Sequence, residues 1–385
     1  MRILHTADWH IGRTFHGHQT LTALTEVLDA IPPLVSEREI DVVLAAGDIF
    51  DSATPPAAAF ALLERSLQAI RAAGAKLILI SGNHDSTARL GFQSEFARLG
   101  DVHIVTDPAV LDRRLSLRDG YGEVDFYCIP FLEPALIRHR WPGQSLRNQA
   151  DALKLAMARV NEARQLRSGV RSIVLAHTFV SGSESESAQS ERQITAGGVD
   201  AVAPGVFSGI DYVALGHIHG AVELAPAIRY PGALLHYSFS EAGKRRGGWL
   251  VDLDGAGLQT VEWVDLPVPR PLITLTGALA ELLKDPSYRG YEEYWISAVL
   301  TDRDRPADAM RRLQERFPWC AHVEHRPSMT AGAAIGSYAA QVQGRSDEQI
   351  FEAFLEHVRG VEATEAEREL LSEVIAALAV RGSQR

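Results

Sequence analysis

The chain has 385 residues, 46% hydrophobic and 23% charged, which is enough apolar material for two or three domains and a sizeable core. Its 38 Lys and Arg against 49 Asp and Glu give a net charge of −11. That excludes nucleic-acid binding through bulk charge, but not a nuclease that holds phosphates with metal ions, a local basic patch or a partner protein.

Met1 leads straight into a strand-like segment, with no room for a signal peptide, and no run approaches the roughly 18 apolar residues of a membrane span. A cytoplasmic protein with no membrane attachment is expected. The two cysteines, Cys128 and Cys320, lie far apart and are read as buried free thiols. From residue 1 to about 265, short apolar runs alternate with helical patterns. Residues 40–46 (IDVVLAA), 76–80 (KLILI), 172–176 (SIVLA) and 212–215 (YVAL) read as buried strands. Helices are expected over 21–35, 56–73 and 146–166, and β-rich segments at 229–230, 236–239 and 248–253. This alternation predicts a layered α/β domain with sheet at its centre.

The stretch Leu266-Pro267-Val268-Pro269-Arg270-Pro271 reads as a linker. Beyond it, residues 272–275, 278–283, 295–300, 307–317 and 322–324 read as strand, helix, strand, helix, strand, a small α/β domain. Residues 181–190 (SGSESESAQS) are polar and low in complexity, a solvated loop, and 330–345 is Gly/Ala-rich and irregular. Two helices close the chain, each opened by a capping box, Ser346 with Gln349 and Thr364 with Glu367. Their apolar stripes are Phe351, Phe354, Leu355 and Val358, then Leu370, Leu371, Val374, Ile375 and Leu378. Those faces either pack on the second domain or dock a partner helix.

The chemistry lies at the strand ends. Asp8 and His10 follow the first strand; alternation along a strand would turn both to one side. Gly47-Asp48 ends the second, Gly82-Asn83-His84-Asp85 the third, His177 the fourth and Gly216-His217-Ile218-His219 the fifth. Taken singly, each has a bland reading as a cap, a turn residue or a hydrogen-bonded histidine. Together, Asp8, His10, Asp48, Asn83, His177, His217 and His219 exceed what one tetrahedral ion needs. They suit two ions sharing a bridging carboxylate, a device for phosphate-ester hydrolysis. Mixed imidazole and carboxylate donors favour Mn, Fe or Zn over Mg or Ca. Gly47 and Gly82 read as tight turns that let the donors converge.

The ordered set Asp8/His10, Asp48/Asp51, Gly82 to Asp85, His177 and Gly216 to His219 resembles the calcineurin-like metallophosphoesterases. Further stretches narrow the resemblance to the SbcD family of repair-nuclease subunits. They are Asp8 to Arg13, Gly47 to Asp51, Ser190-Glu191-Arg192, 211–219, Tyr230-Pro231-Gly232 and Ser238 to Glu241. Pro231 stands where that family usually has Ser.

The resemblance implies a four-layer α/β/β/α sandwich over 1–266, a small α/β capping, DNA-binding domain over 267–340, and C-terminal helices over 341–385. It implies that Asp8, His10, Asp48 and His219 hold one ion, and Asp48, Asn83, His177 and His217 the other. The ions are two Mn2+, with Mg2+, Fe2+ or Zn2+ possible. His84 faces the scissile phosphate as a catalytic residue, and Asp51 orients and charges it. The implied activity is 3′→5′ exonuclease on duplex ends and endonuclease on single strands or hairpins, serving DNA repair, replication and recombination. The implied partners are an SbcC-type ATPase with a coiled coil, whose base receives the C-terminal helices, and a second copy, giving a homodimer within a heterotetramer. Arg13, Lys244, Arg245 and Arg246 are candidates for the DNA backbone, or else solvated surface charge. The alternative is a metallophosphoesterase acting on a small phosphodiester or phosphomonoester; a non-enzymatic scaffold is disfavoured by the intact donor set.

Overall fold

A computed structural model describes residues 1–182, 201–327, 345–359 and 362–382. The readings for 183–190 and 330–344, the motif Ser190-Glu191-Arg192 and the side chain of Leu378 lie outside the described residues. The chain divides into two compact units, Met1–Ile273 and Thr274–Arg385.

The first unit carries β1 (Arg2–Thr6), the short pair β2 (Thr14–Phe15) and β3 (His18–Gln19), β4 (Val42–Ala46), β5 (Lys76–Ile80), β6 (Val102–Val105) and β7 (Arg114–Asp119). They are followed by β8 (Gly122–Ile129), β9 (Arg171–His177), β10 (Tyr212–Gly216), β11 (Val222–Ala225), β12 (Ile228–Tyr230), β13 (Gly247–Asp254) and β14 (Gly257–Asp265). Two six-stranded sheets result, in the orders β14-β13-β1-β4-β5-β6 and β11-β12-β10-β9-β8-β7. β1, β4, β5 and β6 run parallel, as do β8, β9 and β10, so their carboxyl ends gather on one edge of each sheet.

The strand pattern shows why the sheets stack. Ile3, Val42, Leu44, Ile78 and Ile80 face Val124, Phe126, Ile173, Leu175 and Ala214 in one core between the sheets. The intervening Leu4, Val43, Leu77 and Leu79 turn outward to the helices Leu21–Asp29, Ile31–Glu37 and Ala57–Ala72. On the other sheet, Val174, Ala176, Val213 and Leu215 turn out to the helix Gln149–Gln165. Strands covered on both faces read as continuous apolar runs, and each large side chain so buried contributes about 1.5–3 kcal/mol. This is the expected four-layer α/β/β/α sandwich.

Several expectations shift in detail. The helix expected over 21–35 is two, because Pro32 and Pro33 cannot continue an amide ladder but are tolerated in the first turn of a new helix. Residues 236–238 are irregular and Phe239 starts a short 3-10 helix, so this segment is not a strand. The linker begins after Leu266, whose side chain is buried in the first unit.

In the second unit β15 (Leu272–Gly277), β16 (Trp295–Leu300) and β17 (Cys320–His325) form one sheet, with helices Leu279–Lys284 and Ala309–Arg316 between them in sequence. Helices Asp347–Arg359 and Glu365–Gly382 follow. Both capping boxes close: Gln349 N–H donates to Ser346 Oγ at 3.4 Å while Ser346 N–H donates to Gln349 Oε1 at 3.1 Å, and Thr364 with Glu367 does the same. Phe351, Phe354, Val358, Leu370 and Val374 are exposed. Cys128 and Cys320 are buried free thiols. Among the described residues, no helix is long and apolar enough to cross a membrane.

Candidate metal centre

All seven expected donors come together at the carboxyl edges of the two sheets. Strand alternation is not what aligns Asp8 and His10, because β1 ends at Thr6. The loop beyond it is zipped to the loop after β4, with Asp8 N–H on Gly47 O at 3.0 Å, His10 N–H on Asp48 O at 2.9 Å and Ile11 N–H on Ile49 O at 2.9 Å. Asp8, His10, Asp48 and His217 all have left-handed backbone, with φ of +52°, +45°, +48° and +108°. Such conformations cost on the order of 1–3 kcal/mol each and persist where the surroundings over-determine them.

The glycines explain how the loops approach. A Cβ on Gly47 (φ +90°) would lie 2.2 Å from His177 Nδ1, and one on Gly82 2.1 Å from Asp48 Oδ1. Asp85 then locks the two loops together. Its buried carboxylate accepts from the amides of Ile49, Phe50 and Gly82 at 3.0, 2.8 and 2.9 Å. Burial and the nearby Asp48 charge push its carboxyl up to about 6, against those three donors.

Two facing sets of donors emerge. His10 Nε2 and His219 Nε2 are 3.0 Å apart. On the other side Asn83 Oδ1 lies 2.9 Å from His177 Nε2 and 3.1 Å from His217 Nδ1. Asp48 Oδ2 stands between the sets, 3.6 Å from His10 Nε2 and 3.4 Å from His177 Nε2. Asp8 accepts from the His217 amide through Oδ1 at 3.0 Å and Oδ2 at 3.2 Å. His177 Nδ1 donates to the Ala46 carbonyl at 2.8 Å, which turns Nε2 inward.

The arrangement fits bound divalent cations on its own terms. Asp48 Oδ2 is buried and accepts no hydrogen bond among the described residues. Asp8, His10 and His219, then His10, Asp48 and His84, then Asp8, Asp48 and His177, each bring ligand atoms within 4.8 Å of one another. Protein groups alone pair these charges imperfectly. Burial pushes His10 down to about 4 despite Asp51 and Asp48. Burial opposes protonation of His177 too, but the Asp48 charge outweighs it and raises that histidine to about 9. Asp48, which burial would raise, is pulled well below the ordinary carboxylate range by its histidine neighbours, His177 first. Cations at these donors would neutralise the same carboxylates.

His84 is half-buried at the rim, and its amide donates to Asp48 Oδ1 at 2.9 Å. Its Nδ1 donates to the main-chain carbonyl of Asp51 at 2.8 Å. The Asp51 carboxylate, expected to charge that ring, lies between two histidines, with Oδ1 3.9 Å from His84 Nδ1 and 3.3 Å from His10 Nδ1. Asp51 orients His84 through its backbone.

The basic candidates divide. Arg13 sits at the site, its guanidinium 4.5 Å from the centre of the Tyr237 ring and 3.6 Å from Asp51 Oδ1. Lys244 is half-buried, and Arg245 is exposed and paired with Asp265 at 2.8 and 2.7 Å. Arg246 does not reach the surface; it is 1% exposed and ion-paired with the buried Glu241. The onset of β13 explains the split, since alternation into Gly247 turns residue 245 out and residue 246 in.

Sequence reasoning passed over Phe131, a half-buried ring 6.1 Å from His177 and 6.4 Å from His217. The apolar run of β8 that ends just before it was the available signal. Glu241 falls within a stretch that carries the family resemblance, but nothing in its spacing assigns it a role.

A family model described as calcineurin-like phosphoesterase matches residues 1–221, and one described as Type 5 capsule protein repressor C-terminal domain matches residues 268–359. The chain is 27% identical over 386 aligned residues, 100% of each chain, to the SbcD subunit of the SbcCD nuclease of Staphylococcus saprophyticus subsp. saprophyticus. Among solved structures, it resembles a dimetal phosphatase from Danio rerio at 12% identity and TM-score 0.42, covering 69% of this chain and 99% of that one. It also resembles purple acid phosphatase PPD1 from yellow lupin seeds at 14% identity and TM-score 0.39, covering 69% and 51%.

Proposed function

The chain belongs to the calcineurin-like phosphoesterase family, and on that premise we propose that it is the nuclease component of an SbcC–SbcD-type complex, hydrolysing DNA phosphodiesters at duplex ends and in single strands or hairpins. The observation that carries this reading is the convergence of seven buried or half-buried donors from both sheets, in a chain alignable end to end with a nuclease component of that kind. Asp8, His10, Asp48 and His219 hold one cation and Asp48, Asn83, His177 and His217 the other. The facing Nε2 atoms of His10 and His219, and the contacts of Asn83 with His177 and His217, support that division. Mixed nitrogen and oxygen donors suit Mn2+, Fe2+ or Zn2+ better than Mg2+, and among these the family resemblance favours Mn2+. When bound, the cations supply positive charge to a phosphoryl oxygen and acidify a water.

The protein's own groups do the rest. A carbonyl can only accept, so the bond to Asp51 O fixes the proton on His84 Nδ1 and directs Nε2 to the substrate side. As an imidazolium, His84 passes its Nε2 proton to the leaving oxygen or holds charge on the phosphoryl group. Arg13 offers a guanidinium for a neighbouring phosphate, and Phe131 offers a ring face for a base. Lys244 and Arg245 remain backbone-contact candidates, while the burial of Arg246 removes it from that role.

Residues 267–340 act as the capping, DNA-facing domain, and the C-terminal helices dock on the coiled-coil base of the ATPase. The exposed apolar residues of both helices support docking over packing. Phe92, Phe96 and Leu99, exposed at 73%, 75% and 79%, support a homodimer formed through the catalytic unit. The deciding experiment is digestion of a defined duplex and a hairpin with Mn2+ and the ATPase partner. Turnover of a small diester with both DNAs left intact overturns the nuclease reading in favour of a small-molecule phosphoesterase.

A further inference from the structure

Behind His219 lies a buried ion pair that the phosphoesterase reading leaves without a purpose. Glu241, at the end of the short 3-10 helix Phe239–Glu241, is 0% exposed, and Arg246 is 1% exposed. A buried carboxylate needs its lone pairs occupied. Oε2 is occupied, accepting from the Tyr237 amide at 3.2 Å and from the Arg246 guanidinium. Oε1 has no hydrogen-bond partner among the described residues, and the nearby polar atom it faces is His219 Nδ1, 4.0 Å away. The other half of the pair grips the same residue from the main-chain side, since Arg246 Nη1 donates to the carbonyl of His219.

The two nitrogens of His219 thus face different things. Nε2 looks across 3.0 Å at His10 Nε2, into the donor set, and Nδ1 looks back at Glu241. A carboxylate only accepts, so an imidazole held by it carries its proton on Nδ1 and presents the Nε2 lone pair. Engaging Nε2 as a ligand strengthens Nδ1–H as a donor, and Glu241 Oε1 is the buried acceptor 4.0 Å from it.

Resting on the metal-centre reading above, we infer that Glu241 is a positioning residue for His219, its Oε1 receiving Nδ1–H in the loaded site and fixing the ring with Nε2 toward the cation. Arg246 pairs with Glu241 and anchors the His219 backbone, so the pair sets both the tautomer and the placement of this ligand. Partners of this kind typically change metal affinity about 10–100-fold.

The test is calorimetric titration of the full-length protein with Mn2+, comparing wild type with Glu241→Gln and with thermal unfolding followed in parallel. The expected result is a folded variant whose weaker-binding step loses about 10–100-fold in affinity. A folded Glu241→Gln protein that binds Mn2+ as wild type does overturns the inference and leaves the metal centre standing. Wild-type protein that takes up no Mn2+ overturns the metal centre and this inference together. Should Glu241→Gln fail to fold, the wild type answers through two-bond 1H–15N correlation spectra of 15N-histidine-labelled protein loaded with Zn2+. His219, assigned from His219→Gln, is expected to show a protonated Nδ1 and a coordinated Nε2, and the reverse arrangement overturns the inference.

Discussion

The main-chain carbonyl of Asp51 receives the Nδ1 proton of His84 at 2.8 Å, while the carboxylate of the same residue turns toward His10 Nδ1 at 3.3 Å and Arg13 at 3.6 Å. One residue therefore meets His84 with its backbone and His10 with its side chain. Replacing His84 by Ala removes a proton donor without touching the seven donors. Cleavage is expected to fall about 10²–10⁴-fold with the metal content unchanged. Metal analysis beside a nuclease assay checks this, and a protein that has lost its cations contradicts the assignment.

Gly82→Ala probes the convergence of the loops. The added methyl would sit 2.1 Å from Asp48 Oδ1, inside any permitted contact. A destabilisation of about 1–3 kcal/mol is expected from overpacking, together with weaker Mn2+ binding. Urea denaturation and metal titration measure the two effects, and an unchanged titration would mean that Asp48 has room to move.

Acid stability reports on His5, buried between the sheets. Its Nε2 donates to the Leu215 carbonyl at 3.1 Å, so Nδ1 accepts from the Tyr212 hydroxyl at 2.9 Å. Burial pushes its pKa down to about 3, whereas an unfolded chain takes up that proton near about 6.5. The folded value being the lower, His5 contributes stability that is complete above pH 6.5 and is lost as pH falls toward 3, at up to about 1.4 kcal/mol per pH unit. Denaturation midpoints from about pH 7 to 4 should fall more steeply for wild type than for His5→Gln. Parallel curves would remove His5 as the cause.

Adjacent arginines should behave oppositely. Arg246→Ala strands the buried Glu241 carboxylate and is expected to cost about 3–5 kcal/mol. Arg245→Ala breaks an exposed pair with Asp265 and should stay within about 0.5 kcal/mol of wild type. Chemical denaturation of the two single variants decides the matter, equal effects being the contrary outcome.

The helix faces of the C-terminal pair can be tested without truncation. Phe354 and Leu370 are 45% and 62% exposed, so Phe354→Glu and Leu370→Glu should leave stability within about 0.5 kcal/mol. Capture of the ATPase partner in a pull-down should be lost. Retained capture would place the docking surface elsewhere.

Much of this was legible in the residues. Doubly covered strands such as Val42–Ala46 and Lys76–Ile80 announce themselves as apolar runs, and the polar residues just past them mark the site. β7 was harder to see, because this segment (RLSLRD) is an edge strand with one wet face and its polar residues mask the period. What the residues could not display was which atom of Asp51 meets His84, since backbone and side chain share one letter. Nor could they show that Lys244-Arg245-Arg246 straddles the surface. A run of like charges reads as one patch until the strand that follows sets the direction of each side chain.

The seven donors are apportioned between the sheets, with Asp8, His10, Asp48 and Asn83 on loops of the first and His177, His217 and His219 at strand ends of the second. Cations gripped from both sides would rivet one sheet to the other, so a slip of a fraction of an ångström at Ile3 or Leu175, deep in the seam, would register as lost grip at the rim. Substitutions far from the chemistry could then silence the protein while every helix and strand stayed in place.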